Sequence, residues 1–417
     1  MSTTFHIVKP RTSEDSRQRL GRLILKGRND IPTPNLLALA TRGFVPHLTP
    51  DILQKETNIL AVHAGFEDFL GPRRASPVPS NNPNTYTSLN ICTSLGHRDL
   101  EISIYLEAIA KSRPDVIIAP VDIEFGRHNP GAKRRDKIVE RSTAWLRSFE
   151  TALKETESNH LSPAAWVPIL PLEAEIQRTY LDHLEEVGGS FIQGIVVYDP
   201  GSTVNVPEAF HHLPLVSLTE PRTPHDVLRL VVLGTDIIAA PFITAASEAG
   251  IALDFDFPVK TTSKFLALGT DMWSEVAYIQ HLLSAKEMLA WVLLQIHNHH
   301  VVDKFFNGIR ESIARNTFEA DVLEFTNAYQ SELPVFQGQG PRIRGYHASL
   351  GADAKKLNQA PFKKMGHSTP ARHNDDKSMS NDMKDQAVEV KRTKAVNPDV
   401  MDDFDFDGLI NQSRAND

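Results

Sequence analysis

With 417 residues, 41% of them apolar and 23% charged, the chain can hold one large α/β domain or two smaller ones and has the make-up of a soluble protein. No run reaches the roughly 18 apolar residues of a membrane span, and the opening MSTTFHIVKPRTSEDSRQRLG lacks the apolar centre of a secretory signal, which points to a cytosolic protein. A formal net charge of −8 argues against a chain that grips RNA by itself, and the single cysteine, Cys92, excludes an internal disulfide and any zinc site that needs two or more thiolates from this chain.

In chain order, residues 1–17 read as a flexible N-terminus and the globular pattern begins at residue 18. Strand-like runs follow as LLALA, NILAVHA, DVIIAP, WVPILP, FIQGIVVYD, LPLVSL and TDIIAAPF. Amphipathic segments such as DLEISIYLEAIAKS, AKRRDKIVERSTAWLRSFETALKE and TPHDVLRLVVLG lie between most pairs. Short, wholly apolar strands alternating with helices predict a parallel sheet covered on its faces. Seven of them without a long break predict a (β/α)8 TIM-like barrel. No phosphate-gripping glycine loop follows the first run, which argues against a dinucleotide fold. The globular part runs to residue 346. Beyond it, residues 351–417 are polar, mix both signs of charge and lack periodicity, which predicts a disordered tail. The tail's DVMDDFDFDGLI reads as solvated chain or as a short docking motif.

In a barrel, chemistry sits where strands end and βα loops begin. Those positions offer Glu67 and Asp68 after NILAVHA, Asp122 and Glu124 after DVIIAP, Asp199 after FIQGIVVY, and Ala239-Ala240-Pro241-Phe242 after TDII. Asp122 and Glu67 are candidate polar contacts to a ligand; each could equally cap a helix or satisfy loop amides.

Five stretches, in order, resemble the tRNA-guanine transglycosylase family across residues 18–346: IPTPNLLALATRGFVPHLTPDIL, AKRRDKIVERSTAWL, SFIQGIVVYD, TPHDVLRLVVLGTDII and SAKEMLAWVLLQIHNHHVVDKFFNGIRESI. The resemblance implies exchange of guanine for a modified 7-deazaguanine in tRNA. That reaction needs one carboxylate to attack the glycosidic carbon and a second to move the base's proton. This chain matches neither requirement. At the nucleophile position, Gly234-Thr235-Asp236-Ile237-Ile238 leads to Ala239, and Val62 stands at the second carboxylate position. Asp236, three residues earlier on the same strand, faces the other side of the pleat and is expected to make a structural hydrogen bond. Base-pocket candidates remain: Phe66 to stack, Asp122 to meet the purine edge and Gly194 to let a flat ring approach. A retained barrel without the catalytic pair resembles the accessory branch of the eukaryotic family. That likeness implies pairing with a catalytic queuine tRNA-ribosyltransferase subunit, contact with tRNA through the complex, queuine exchange at the wobble position of GUN-anticodon tRNAs, and a place at the outer mitochondrial face. The alternatives are a divergent active transglycosylase that uses Asp122 or Glu67, and a queuine-binding or salvage protein without chemistry.

The same resemblance makes residues 259–315 the remnant of a zinc-binding subdomain and His297 its fourth ligand. The family's other three ligands are cysteines of a C-x-C-x-x-C motif just before a segment like AYIQHLL. Here TTSKFLALGTDMWSEVAYIQHLL holds no cysteine, and Trp273-Ser274-Glu275-Val276 joins the flanks directly. Zinc, expected from the family, is therefore doubtful: either the site is lost, or the native protein carries a loop that this sequence lacks. His299 and His300 are expected at the edge between interior and surface.

Overall fold

The structure, a computed structural model, describes residues 4–10, 17–41, 43–66, 84–93, 96–123, 130–156, 164–188, 191–260, 266–272 and 277–334. Strands β1 (Thr4–Lys9), β2 (Leu20–Ile24) and β3 (Ile31–Thr33) pair antiparallel in that order. Six residues of the segment 1–17 thus form a strand, and two contacts hold it. Lys9 donates from Nζ to the carbonyls of Ile313, at 2.6 Å, and Ala314, at 3.1 Å, and Arg19 lies 5.1 Å over the Phe5 ring.

The parallel strands are β4 (Asn35–Ala40), β5 (Val62–Ala64), β8 (Val116–Ile118), β9 (Ala164–Ile169), β10 (Ile192–Val197), β11 (Leu215–Ser217) and β12 (Ile237–Ala239). Their order is β5-β4-β12-β11-β10-β9-β8, so the last strand pairs with the first and the sheet curls into a TIM-like half-barrel. Among the described residues β5 and β8 form no ladder, and the antiparallel hairpin β6 (Ser88–Thr93) and β7 (Gly96–Glu101) falls between them in sequence. All seven strand-like runs of the sequence are strands of this sheet.

The helices are α1 (Pro50–Glu56), α2 (Ile102–Ser112), α3 (Ala132–Thr156), α4 (Arg178–Val187), α5 (Pro224–Val232), α6 (Phe242–Ala249), α7 (Ala277–Ala285), α8 (Met288–Arg315) and α9 (Phe318–Ala328). Alternation along the strands sorts their side chains into two layers. Leu37, Ala164, Trp166, Val196, Val216 and Ile237 meet inside the curl, floored by Leu23 and Ile31 of β2 and β3. Their neighbours face outward: Ala165, Val167 and Ile195 meet Val139, Leu146 and Phe149 of α3, while Leu36 and Ile238 meet α5, α6, α8 and α9. A two-stranded sheet, β13 (Ile251–Leu253) with β14 (Gly269–Asp271), lies against α8. No helix of the described residues is long and apolar enough to cross a membrane.

Candidate functional site

Parity places Ala239 inside the barrel: it lies two residues beyond inward-facing Ile237 and is 2% exposed. Asp236 has the opposite parity and belongs to the floor. Arg19 Nε donates to its Oδ1 at 3.0 Å, Arg19 Nη2 to its Oδ2 at 2.5 Å, and the Leu215 amide to the same Oδ2 at 2.8 Å. The guanidinium also donates to the His211 carbonyl and, at 2.6 Å, to that of Leu213. Both oxygens of the Asp236 carboxylate are thus engaged by the chain itself.

On β5, Val62 pairs with Ala38 and His63 with Leu39. Ala38 packs outward on Val45 and Leu48, whereas Leu39 shares the inward parity of Leu37. Val62 is therefore outward and 46% exposed, and the inward group on this strand is His63. Burial holds its imidazole below the usual range, so it is a neutral group at pH 7. Nothing in the sequence singles out His63, because a lone histidine between Val62 and Ala64 carries no motif.

Asp122 lies just past β8 and is fully buried. Its Oδ1 accepts from Asn84 Nδ2 at 2.7 Å and from Arg134 at 3.3 Å, and its Oδ2 accepts from Arg141 Nη1 at 2.9 Å. Ser142 Oγ accepts from the Asp122 amide at 3.0 Å. Two guanidiniums and an amide thus stand on a carboxylate expected to meet a purine edge. The signal for this was in the sequence: Arg134 and Arg141 are seven apart, on one face of α3 with buried Ile138 between them.

Gly194 sits mid-strand on β10, beside Trp166 of β9 in register. A Cβ there would lie 2.6 Å from the indole's Cδ1 and Nε1, so the missing side chain makes room for Trp166. Phe66 packs edge-on against Tyr105 with ring centroids 4.9 Å apart. Tyr105 in turn donates its hydroxyl to the Ile118 carbonyl at 2.8 Å. The structure brings Phe66 and Asp122 to the same end of the barrel, where β5 and β8 finish, and assigns Gly194 to the layer below.

His297 is on the exposed side of α8, and its Nε2–H donates to the Leu253 carbonyl at 2.9 Å. That leaves Nδ1 as the lone-pair nitrogen, the tautomer a metal-ligating histidine adopts. The rest of the ligand set does not fit. The chain has one cysteine, and Cys92 belongs to β6, in a sheet separate from β13 and β14. Among the described residues no three of His, Cys, Asp and Glu come together to hold a metal ion. His299, expected at the edge, is instead buried, 3.2 Å from Gln295, and burial pushes its imidazole down to about 4. His300 is exposed. Glu67, Asp68, Glu124, residues 273–276 and the tail 351–417 lie outside the described residues.

A family model described as queuine tRNA-ribosyltransferase matches residues 71–331, well over half of the chain. A protein of Schizosaccharomyces pombe named queuine tRNA-ribosyltransferase accessory subunit 2 is 31% identical over 393 residues, which cover 81% of this chain and 87% of that protein. Proteins of the same name from Culex quinquefasciatus and Aedes aegypti are 25% and 22% identical, over 78% and 76% of this chain and 92% and 91% of theirs. The chain, with its curled parallel sheet and its matching span, belongs to the queuine tRNA-ribosyltransferase family.

Proposed function

We propose that the chain is the non-catalytic accessory subunit of a heterodimeric tRNA-guanine transglycosylase, whose partner exchanges guanine for queuine at the wobble position of GUN-anticodon tRNAs. The observation that carries this reading is Ala239. The strand end that should deliver the nucleophile presents a buried methyl group, and a methyl group cannot form the ribosyl-enzyme bond. The nearby carboxylates do not replace it. Asp236 is locked to Arg19 in the floor and Asp122 to Arg134 and Arg141. The accessory-subunit names of the relatives support the same reading.

A partner has a surface to meet. Leu289 and Leu293 are exposed on α8 and, with Ile296, form an i, i+4, i+7 stripe that runs to Val45 and Leu48. Exposed Phe44 and Tyr278 add to the large apolar residues of this region's elements. Apolar patches of this kind mark interaction sites. Contact with tRNA would then come through the complex, in keeping with the net charge of −8.

The test is guanine-to-queuine exchange into tRNA by the isolated chain, by its catalytic homologue and by the two together, with co-purification as a second readout. Activity only with the homologue present, and loss of co-purification on Leu289→Glu plus Leu293→Glu, are expected. Exchange by the isolated chain that disappears on Asp122→Asn would instead make it a divergent enzyme.

A further inference from the structure

We infer that the β13–α8 junction of this chain is held by a metal-free clamp formed by His297 and Asn298, and that the chain takes up no structural zinc. Strand β13 explains why these two polar side chains stand together on α8. Its even-numbered neighbours bond toward β14: Met272 N–H donates to the Gly250 carbonyl and Asp254 N–H to that of Leu268, each at 3.0 Å. Alternation then turns the backbone groups of Ile251 and Leu253 the other way, toward α8. Among the described residues no third strand pairs there, yet these groups are buried with their residues and need partners.

Two consecutive side chains of α8 supply them. Asn298 Oδ1 accepts from the Leu253 amide at 2.8 Å, and Asn298 Nδ2 donates to the Ile251 carbonyl at 3.0 Å and to Ser247 Oγ of α6 at 2.9 Å. His297 Nε2–H donates to the Leu253 carbonyl at 2.9 Å. One turn earlier Gln295 Nε2 donates to Thr244 Oγ1 of α6 at 3.0 Å. The pair reproduces from a helix what a neighbouring strand's backbone would provide. It ties α6, β13 and α8 together through hydrogen bonds alone.

A structural zinc would add nothing this junction lacks. The imidazole keeps the orientation of a ligand, with Nε2–H on a carbonyl, but one imidazole binds zinc weakly and a structural site needs four ligands. The chain's lone cysteine cannot supply the other three. The histidine is therefore useful here as a donor.

The experiment uses the full chain purified without chelator. Its zinc content is measured by mass spectrometry, and its Tm with and without EDTA. Expected are zinc far below one per chain and an unchanged Tm in EDTA. His297→Gln, whose amide can still donate to Leu253 but is a poor zinc ligand, should melt near the wild type. His297→Leu should melt a few degrees lower, and Asn298→Ala lower still, by the same amount with and without EDTA. One zinc per chain whose removal lowers Tm overturns the inference. So does a His297→Gln variant that falls as far as His297→Leu.

Discussion

Gly308 lies in the buried face of α8 where the helix crosses the Phe257–Pro258 backbone. By helix propensity alone, Gly308→Ala should stabilise the protein by about 1 kcal/mol. The packing predicts the opposite sign. An added Cβ would sit 1.8 Å from the Phe257 carbonyl oxygen and 2.8 Å from its carbon, both backbone atoms that no rotamer change can move aside. Relief requires α8 to withdraw by roughly 1.5 Å, and a close-packed core does not absorb that. Phe305, next to Gly308 on the helix, would lose its edge contacts with Phe255 at 5.3 Å and Phe257 at 5.6 Å. Overpacking costs about 1–3 kcal/mol, and parting these rings adds roughly 0.5–1.5 kcal/mol for each pair. A net loss of about 1–5 kcal/mol is expected after the propensity gain, or a fall in Tm of roughly 2–20 °C. Thermal melting followed by circular dichroism measures it. Gly131→Ala is the control, because nothing lies within 4 Å of a Cβ there, and its Tm should hold. A Gly308→Ala protein as stable as the wild type would refute the close crossing of α8 over Phe257.

Arg19→Met should cost about 3–5 kcal/mol in urea unfolding, because Asp236 would stay buried without its cation. A double variant with Asp236→Asn should recover part of the loss; no difference between single and double would contradict the pairing. Asp122→Ala should destabilise the fold by a similar amount, since it strands the buried Arg141; an unchanged Tm would return Asp122 to the role of ligand contact. Burial first, then the charge of Arg229, hold the His225 imidazole down to about 4. The folded chain thus resists protonation, so this contribution is present above the unfolded value near 6.5 and is lost as pH falls toward 4, by up to about 3 kcal/mol. His225→Phe should flatten that acid limb in urea midpoints taken across pH 4–7, and parallel limbs for both proteins would count against the assignment.

The sheet was legible because its strands are buried on both faces and spell unbroken apolar runs such as DVIIAP and WVPILP. The floor was not. In β1 most side chains are exposed, and its place depends on β2, on Arg19 and on the end of α8, which lies 304 residues away in sequence. The site was half legible for the same reason. A glycine at 194 announces a close approach without naming the visitor, and Trp166 is a neighbour only because β9 and β10 pair in that register. Asp122 shows in the sequence as a carboxylate at a strand end. That α3 folds two guanidiniums back onto it follows from a helix face meeting a loop, which spacing along α3 suggests only once the barrel is known.

The carboxylates at the two ends of the barrel therefore have different standing from the ones the reaction needs. Asp236 and Asp122 each neutralise arginines inside the fold, so removing either would leave a buried cation and threaten the barrel itself. Ala239, which the proposed reading puts at the nucleophile position, carries no such constraint. Ala239 shares its face with Ile237 and Trp166's layer, has no polar partner to satisfy, and fills its place in the wall as an apolar side chain. A carboxylate there would need water or a cation, which Leu37, its partner in register on β4, does not offer. An apolar wall at Ala239 thus supports the proposed reading, in which the subunit contributes a surface rather than a nucleophile.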